Sequence, residues 1–256
     1  MTPVFIQQVP CLEDNYAFLI HEPRGGVTAL VDTPEVEPVE RALASTRWRL
    51  THILNTHHHA DHAGCNLAFK EKWGCTVVGP KADRDRIPGI DIALGDGETF
   101  QLGNAPVVVL DVPGHTRGHI AYHFADDKVA FVGDTLFSLG CGRLFEGTPL
   151  QMWTSLGKIA ALPDDTRLFC AHEYTQSNAR FALTVDPDNA ELRMRAAKVD
   201  ELRAAGAPTV PTTVGLEKKT NPFLRAATPG VQAALGMVGA PVVEVFAETR
   251  RRKDRF

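Results

Sequence analysis

The chain has 256 residues, 44 % hydrophobic and 23 % charged, with a formal net charge of -4 at pH 7, enough apolar material for one large core or a core with an appended domain. That acidic balance argues against a nucleic-acid partner, whose phosphates require a basic surface. Apolar runs such as APVVVL and KVAFVG fall far short of the ~20 residues that span a bilayer, and the opening MTPVFIQQVPCLEDNY has neither the basic nor the apolar region of a signal peptide, so no membrane partner and a cytoplasmic location are expected.

In chain order, VFIQQV, AFLIHE, VTALVD, THILNT, CTVVG, ETFQL, PVVVLDV, IAYHF, KVAFVG and TRLFCA read as strands, rich in β-branched residues and bounded by turn formers. Helical patterns interrupt them at 36–45, 64–73 and 149–161, the last stopping at Leu162-Pro163. Strands mixed with a few helices suggest stacked sheets covered by helices. Beyond about Tyr174 the character changes: SNARFALTV, NAELRMRAAKVDELRAAG and PVVEVFAETRRRK have helical spacing, with breaks at Asp186-Pro187 and Pro208 to Pro211, and no convincing strand is expected there. Cys11, Cys65, Cys75, Cys141 and Cys170 are odd in number and form no CxxC pair, so they read as reduced thiols.

The chemistry concentrates in NTHHHADHAG, where His57, His59, Asp61 and His62 follow the apolar strand HILN. Alternate residues of an extended turn point the same way, so His57 and His59 can converge on one ion while Asp61 and His62 face a second; His58 should point away and be structural. The ordinary alternative is a histidine-rich surface loop, and the spacing weighs against it. Ligand-type residues recur at other strand ends: His115 after PVVVLDV, Asp134 after KVAFVG and His172 after TRLFCA. Each alone would pass for a surface histidine or a turn-capping aspartate; four such strand ends in one chain are harder to dismiss. His21, His52, His119 and His123 are assigned to packing or to hydrogen bonds behind the ligands, His119 foremost.

HxHxDH, together with Gly114-His115, Gly133-Asp134 and Ala171-His172, resembles the metallo-β-lactamase superfamily. THHHADHAG, GDTLFSLGCGRLFEG, CAHEYT, TNPFLR and RRRKD resemble, over nearly the whole chain, the glyoxalase II (hydroxyacylglutathione hydrolase) family within it. The resemblance implies an α/β fold: a metallo-β-lactamase-like αββα sandwich over 1–173 as catalytic domain, with a C-terminal helical domain, 174–256, contributing to glutathione binding. It implies that His57, His59 and His115 bind one metal, Asp61, His62 and His172 the other, and that Asp134 bridges, Asp61 and Asp134 orienting the nucleophile. Two divalent ions are expected, zinc first, with iron or manganese suited to the same imidazole and carboxylate donors. Arg143, Tyr174, Arg250 and Lys253 would contact glutathione, guanidinium forks and an ammonium suiting its carboxylates.

The implied reaction is attack by a metal-bridging hydroxide on the thioester of S-D-lactoylglutathione, giving glutathione and D-lactate in methylglyoxal detoxification; two ions ~3.5–4 Å apart suit that role. A thiol of pKa ~8.5 leaves without a dedicated acid. Two departures stand out: the family commonly has lysine at Arg143 and tyrosine at Phe145. RRRK alone reads as a solvated tail, with little chain beyond it to pin it. Competing readings are a glutathione persulfide dioxygenase with a single iron, a related hydrolase acting on lactams, lactones or RNA, and a non-catalytic binding module; the intact ligand set speaks against the first and the last. A monomer acting on a small-molecule glutathione thioester is expected.

Overall fold

All ten β-branched runs are strands in the computed structural model, which describes residues 3–256. The chain forms two units, one running to Asp111 and including Arg117–Gly133, the other made of Val112–Thr116 with Asp134–Phe256.

The first unit contains β1 (Phe5–Cys11), β2 (Asn15–Glu22), β3 (Val27–Val31), α1 (Val36–Thr46), β4 (His52–Leu54), α2 (Ala60–Ala63), α3 (Asn66–Trp73), β5 (Thr76–Pro80), a 3-10 turn (Lys81–Arg86), β6 (Ile92–Leu94), β7 (Thr99–Leu102), β8 (Ala105–Asp111), β9 (Ile120–Phe124) and β10 (Val129–Gly133). β1 to β6 lie side by side in chain order. The first three are antiparallel and the last three join β3 in parallel, α1 and α3 supplying crossovers that parallel neighbours need. Register explains the core. Leu19 is opposite Leu30, Leu30 opposite Ile53 and Ile53 opposite Val77, so one row of fully buried aliphatics meets Val39 and Leu43 of α1 and Phe69 of α3. Each such side chain contributes ~1.5–3 kcal/mol by leaving water. β7 to β10 form an antiparallel group in the order β10-β9-β8-β7; from β9 the buried Tyr122 hydroxyl donates to Asn55 O at 2.8 Å, pinning the chain where it leaves β4.

The helix expected over 64–73 is broken and begins earlier. Cys65 N donates to Thr33 O at 3.2 Å instead of to the carbonyl four residues back, so α2 stops and α3 starts afresh at Asn66. That break lets the short α2 carry Asp61 and His62.

The second unit contains β11 (Leu136–Phe137), β12 (Gly140–Cys141), α4 (Pro149–Ala160), β13 (Arg167–Cys170), α5 (Thr175–Val185), α6 (Ala190–Ala204), β14 (Thr212–Thr213), α7 (Val214–Thr220), α8 (Pro229–Leu235) and α9 (Val242–Arg255). α4 starts where its sequence says it should: Pro149 at its first position and a capping box in which Thr148 and Gln151 satisfy each other's backbone amides. The β11–β12 hairpin is held from below by the fully buried Glu217, which pairs with Arg195 and accepts from Leu139 N and Asn221 Nδ2, each at 2.9 Å.

Two expectations are corrected here. A strand does follow Tyr174: β14 pairs with β13, Thr213 opposite Arg167 and Thr212 opposite Leu168, and two residues are too few to show alternation. The basic tail is pinned, because α9 buries Val245, Phe246, Thr249 and Arg250 on one face and the Phe256 ring meets that of Phe181 at 5.6 Å. All five cysteines are free. Among the described residues, no helix is long and apolar enough to cross a membrane.

Candidate metal centre

In the first unit the loop leaving β4 turns the HxHxDH side chains toward one another. His57 is fully buried, and its Nε2 comes within 3.0 Å of His59 Nδ1. His62, also buried, places Nε2 at 3.3 Å from Asp61 Oδ2, and Asn15 Nδ2 steadies the same Asp61 oxygen at 3.1 Å. His58 points elsewhere, toward Asp83 and Arg86, as alternation requires. His119 stacks on His57 with ring centres 4.7 Å apart, the supporting place expected for it, while His21 stacks on Trp48.

One buried carboxylate that supports this loop escapes the sequence reading. Asp32, at the end of β3, is buried and adopts a left-handed φ of 57°. Its carboxylate accepts from Thr56 N and Thr56 Oγ1, both at 2.8 Å, and lies 2.9 Å from His62 Nδ1. A carboxylate there keeps the proton on Nδ1, so His62 Nε2 presents its lone pair. The signal was available: Asp32 ends VTALVD just as Asp134 follows KVAFVG.

In the second unit, His115, Asp134 and His172 are buried together. Asp134 divides its oxygens, Oδ2 lying 3.4 Å from His115 Nε2 and Oδ1 3.4 Å from His172 Nε2. His115 Nδ1 is 2.9 Å from Arg143 O; a carbonyl only accepts, so Nδ1 carries the proton and Nε2 is left as the donor atom for a metal. Gly142 is required by this approach, since a Cβ there would sit 2.0 Å from Asp134 O and 3.1 Å from His115 Nδ1. His172 is sandwiched by aromatics, stacked on Tyr174 at 4.7 Å and edge-on to Phe137 at 5.9 Å, and Phe145 leans on His115 at 5.2 Å.

The donor atoms fit a metal. Two ligand atoms ~2.0–2.1 Å from a tetrahedral ion are ~3.3 Å apart. The candidate donor pairs within each unit span 3.0 to 3.4 Å. Imidazole and carboxylate donors without thiolate are those of a divalent-metal site.

Cations gather in the second unit. Arg143 Nε is 3.9 Å from Asp254, with 65 % of its side chain exposed. Arg250 is buried, its Nη1 donating to Cys141 O at 2.7 Å, its Nε and Nη2 to Asp254, and its plane lying 5.1 Å from the Phe223 ring centre. Lys253 Nζ bonds Ser177 Oγ at 3.1 Å. Burial, then the charges of Arg250 and Arg143, push its ammonium down to about 8 from 10.5.

Residues 13–172 match the family model described as the metallo-beta-lactamase superfamily, and 173–256 the one described as hydroxyacylglutathione hydrolase C-terminus. Over 251 residues, 98 % of either chain, the sequence is 60 % identical to a hydroxyacylglutathione hydrolase of Methylococcus capsulatus. The chain belongs to the hydroxyacylglutathione hydrolase family. A family member from Ruegeria pomeroyi is 58 % identical over 254 residues, 99 % of this chain and all of that one. Among solved structures, ETHE1 from Myxococcus xanthus shares the fold, with a TM-score of 0.66 and 24 % identity over 97 % of this chain and 98 % of its own. TTHA1623, solved in a di-iron-bound form, has a TM-score of 0.60 and 25 % identity over 86 % of this chain and all of its own. The metallo-β-lactamase fold expected for the hydroxyacylglutathione hydrolase family, α/β with a helical C-terminal part, is the one the chain adopts.

Proposed function

We propose that the chain hydrolyses S-(2-hydroxyacyl)glutathione thioesters, S-D-lactoylglutathione foremost, to glutathione and a 2-hydroxy acid, D-lactate for that substrate, acting as a cytoplasmic monomer in methylglyoxal detoxification. One observation carries the reading beyond family membership: His115, a ligand-type histidine, hydrogen-bonds the main-chain carbonyl of Arg143 at 2.9 Å, so the residue beside the candidate metal ligand carries an exposed guanidinium able to hold a carboxylate. A simple lactone, which has no carboxylate, would give that cation nothing to bind.

His57, His59 and His115 would take one ion and Asp61, His62 and His172 the other, with Asp134 shared. Zinc is the ion we assign; iron or manganese would meet the same donors. Two such ions, when bound, supply Lewis acidity and bring the pKa of water toward ~7.

The protein's own contribution is placement. Asp61, steadied by Asn15, and Asp134, its oxygens divided between two histidines, orient the nucleophile. Arg143 and Lys253 draw in the two carboxylates of glutathione, and Tyr174 offers a hydroxyl beside His172. The nitrogens of Arg250 are engaged by Cys141 O and Asp254, so it acts through its charge and by holding β12. Phe145 offers an apolar edge where a hydroxyl would have bonded substrate. The departing thiolate, of pKa ~8.5, leaves without a dedicated acid.

The test compares S-D-lactoylglutathione with a lactoyl thioester of N-acetylcysteamine, which lacks both carboxylates. A kcat/KM at least a hundredfold lower for the second is expected; equal values would overturn the glutathione assignment.

A further inference from the structure

His58 sits between two residues read as ligands, and both of its ring nitrogens face one ion pair, the buried Asp83 and the partly exposed Arg86. Nε2 is 3.1 Å from Arg86 Nη1 and Nδ1 is 3.3 Å from Asp83 Oδ2. Arg86 closes the ring by donating from Nε and Nη2 to Asp83 Oδ1. Arginine only donates, so His58 Nε2 is the acceptor and the ring proton lies on Nδ1, facing the carboxylate. Asp83 itself is tightly placed: its side chain is 2 % exposed, its backbone departs from the 3-10 turn with φ -116° and ψ 19°, and its carboxyl group packs on Gly118, where a Cβ would fall 2.2 Å from Asp83 Cγ. The next residue, His119, stacks on His57. Three segments, 57–59, 81–86 and 118–119, therefore meet at one side chain.

We infer that His58, Asp83 and Arg86 form a clamp that fixes the main chain between His57 and His59 and so sets how tightly the loop holds its metal. His58 is a positioning residue. Because its side chain points opposite to its neighbours, any rotation of the loop that would spread His57 and His59 must drag His58 out of the Asp83–Arg86 grip. Either member of the pair alone would leave the ring free to swivel about the remaining contact; two contacts on opposite ring nitrogens stop it. The inference rests on the reading of His57 and His59 as ligands.

The test is chelator competition on the metal-loaded protein, with the metal retained counted by elemental analysis. In His58→Leu, Asp83 and Arg86 still satisfy each other, so no charge is orphaned. The apparent dissociation constant should rise ten- to a hundredfold, as for other supporting partners of metal ligands. His58→Gln keeps an acceptor for Arg86 and should recover at least half of that loss on a logarithmic scale, which a mere packing role would not predict. Should His58→Leu fail to fold, Arg86→Gln, at a side chain 28 % exposed, keeps an amide donor toward Asp83 and carries the same expectation. His57→Ala is the control for the underlying reading: full metal retention there would overturn the ligand assignment itself. Metal lost in His57→Ala but held at wild-type affinity in the folded clamp variants would overturn the clamp alone.

Discussion

Asp32 and His62 face each other at 2.9 Å, Oδ2 to Nδ1, both withdrawn from solvent. The contact joins the end of β3 to the short α2, and it decides which ring nitrogen of His62 is available. In Asp32→Asn an amide nitrogen competes for the same place, Nδ1 loses its acceptor and the tautomer is no longer fixed. Asparagine tolerates the left-handed backbone, so the fold survives. Metal affinity measured by chelator competition should fall ten- to a hundredfold, with activity falling alongside; unchanged affinity would show that Asp32 only closes the strand.

Gly142 offers a steric test. Its backbone does not need glycine's conformational freedom, but Gly142→Ala would press a methyl group against Asp134 O. Overpacking of this kind costs ~1–3 kcal/mol. A lowered melting temperature together with lost activity is expected, because the atoms that must move belong to Asp134 and His115. Wild-type turnover would mean that these two tolerate displacement.

Much of this was legible in the sequence because the signals are local. Each β-branched run needed only its own composition, and His57, His59, Asp61 and His62 declare themselves by spacing. β6, β11, β12 and β14 are two or three residues long, too short to show a period, and β14 finds its partner β13 more than forty residues back in the chain. α7 and α8, seven residues each, lie among proline and polar residues that mask their pattern. Asp32 was hidden in plain view, since a carboxylate ending a strand reveals its partner only after folding. Arg250 reads as part of a solvated RRRK run until α9 is drawn as a helix. It then continues the stripe of Val245, Phe246 and Thr249, spacing that could have marked it as buried.

Lys253, proposed to bind a glutathione carboxylate, would make substrate binding depend on pH. Burial, with Arg250 and Arg143 beside it, holds its ammonium near 8 instead of 10.5. A bound carboxylate favours the protonated form, so above pH 8 binding takes up a proton and weakens as pH rises. KM for S-D-lactoylglutathione should climb between pH 8 and 9 by up to about fivefold, while Lys253→Arg, always charged, should stay nearly level over the same range. The same shift means that the charged lysine costs stability below pH 8, a cost that fades as pH approaches 10.5. Parallel KM profiles for the two proteins would remove Lys253 from substrate binding.

Arg143 and Arg250 should separate cleanly. Arg143→Ala, at an exposed position, should leave stability within ~0.5 kcal/mol and raise KM severalfold with kcat little changed. Arg250→Ala strips Cys141 O of its buried donor, costing ~1–3 kcal/mol, visible as a drop in melting temperature. Equal melting temperatures would mean that the buried contact contributes nothing.

The most direct test of the account is thiol release from S-D-lactoylglutathione by purified wild type and His57→Ala, with metal content determined on the same samples. Turnover by a wild type carrying close to two ions per chain is expected, with a joint loss of metal and turnover in His57→Ala. Wild-type turnover from a metal-poor His57→Ala, or no turnover from fully metallated wild type, would contradict it.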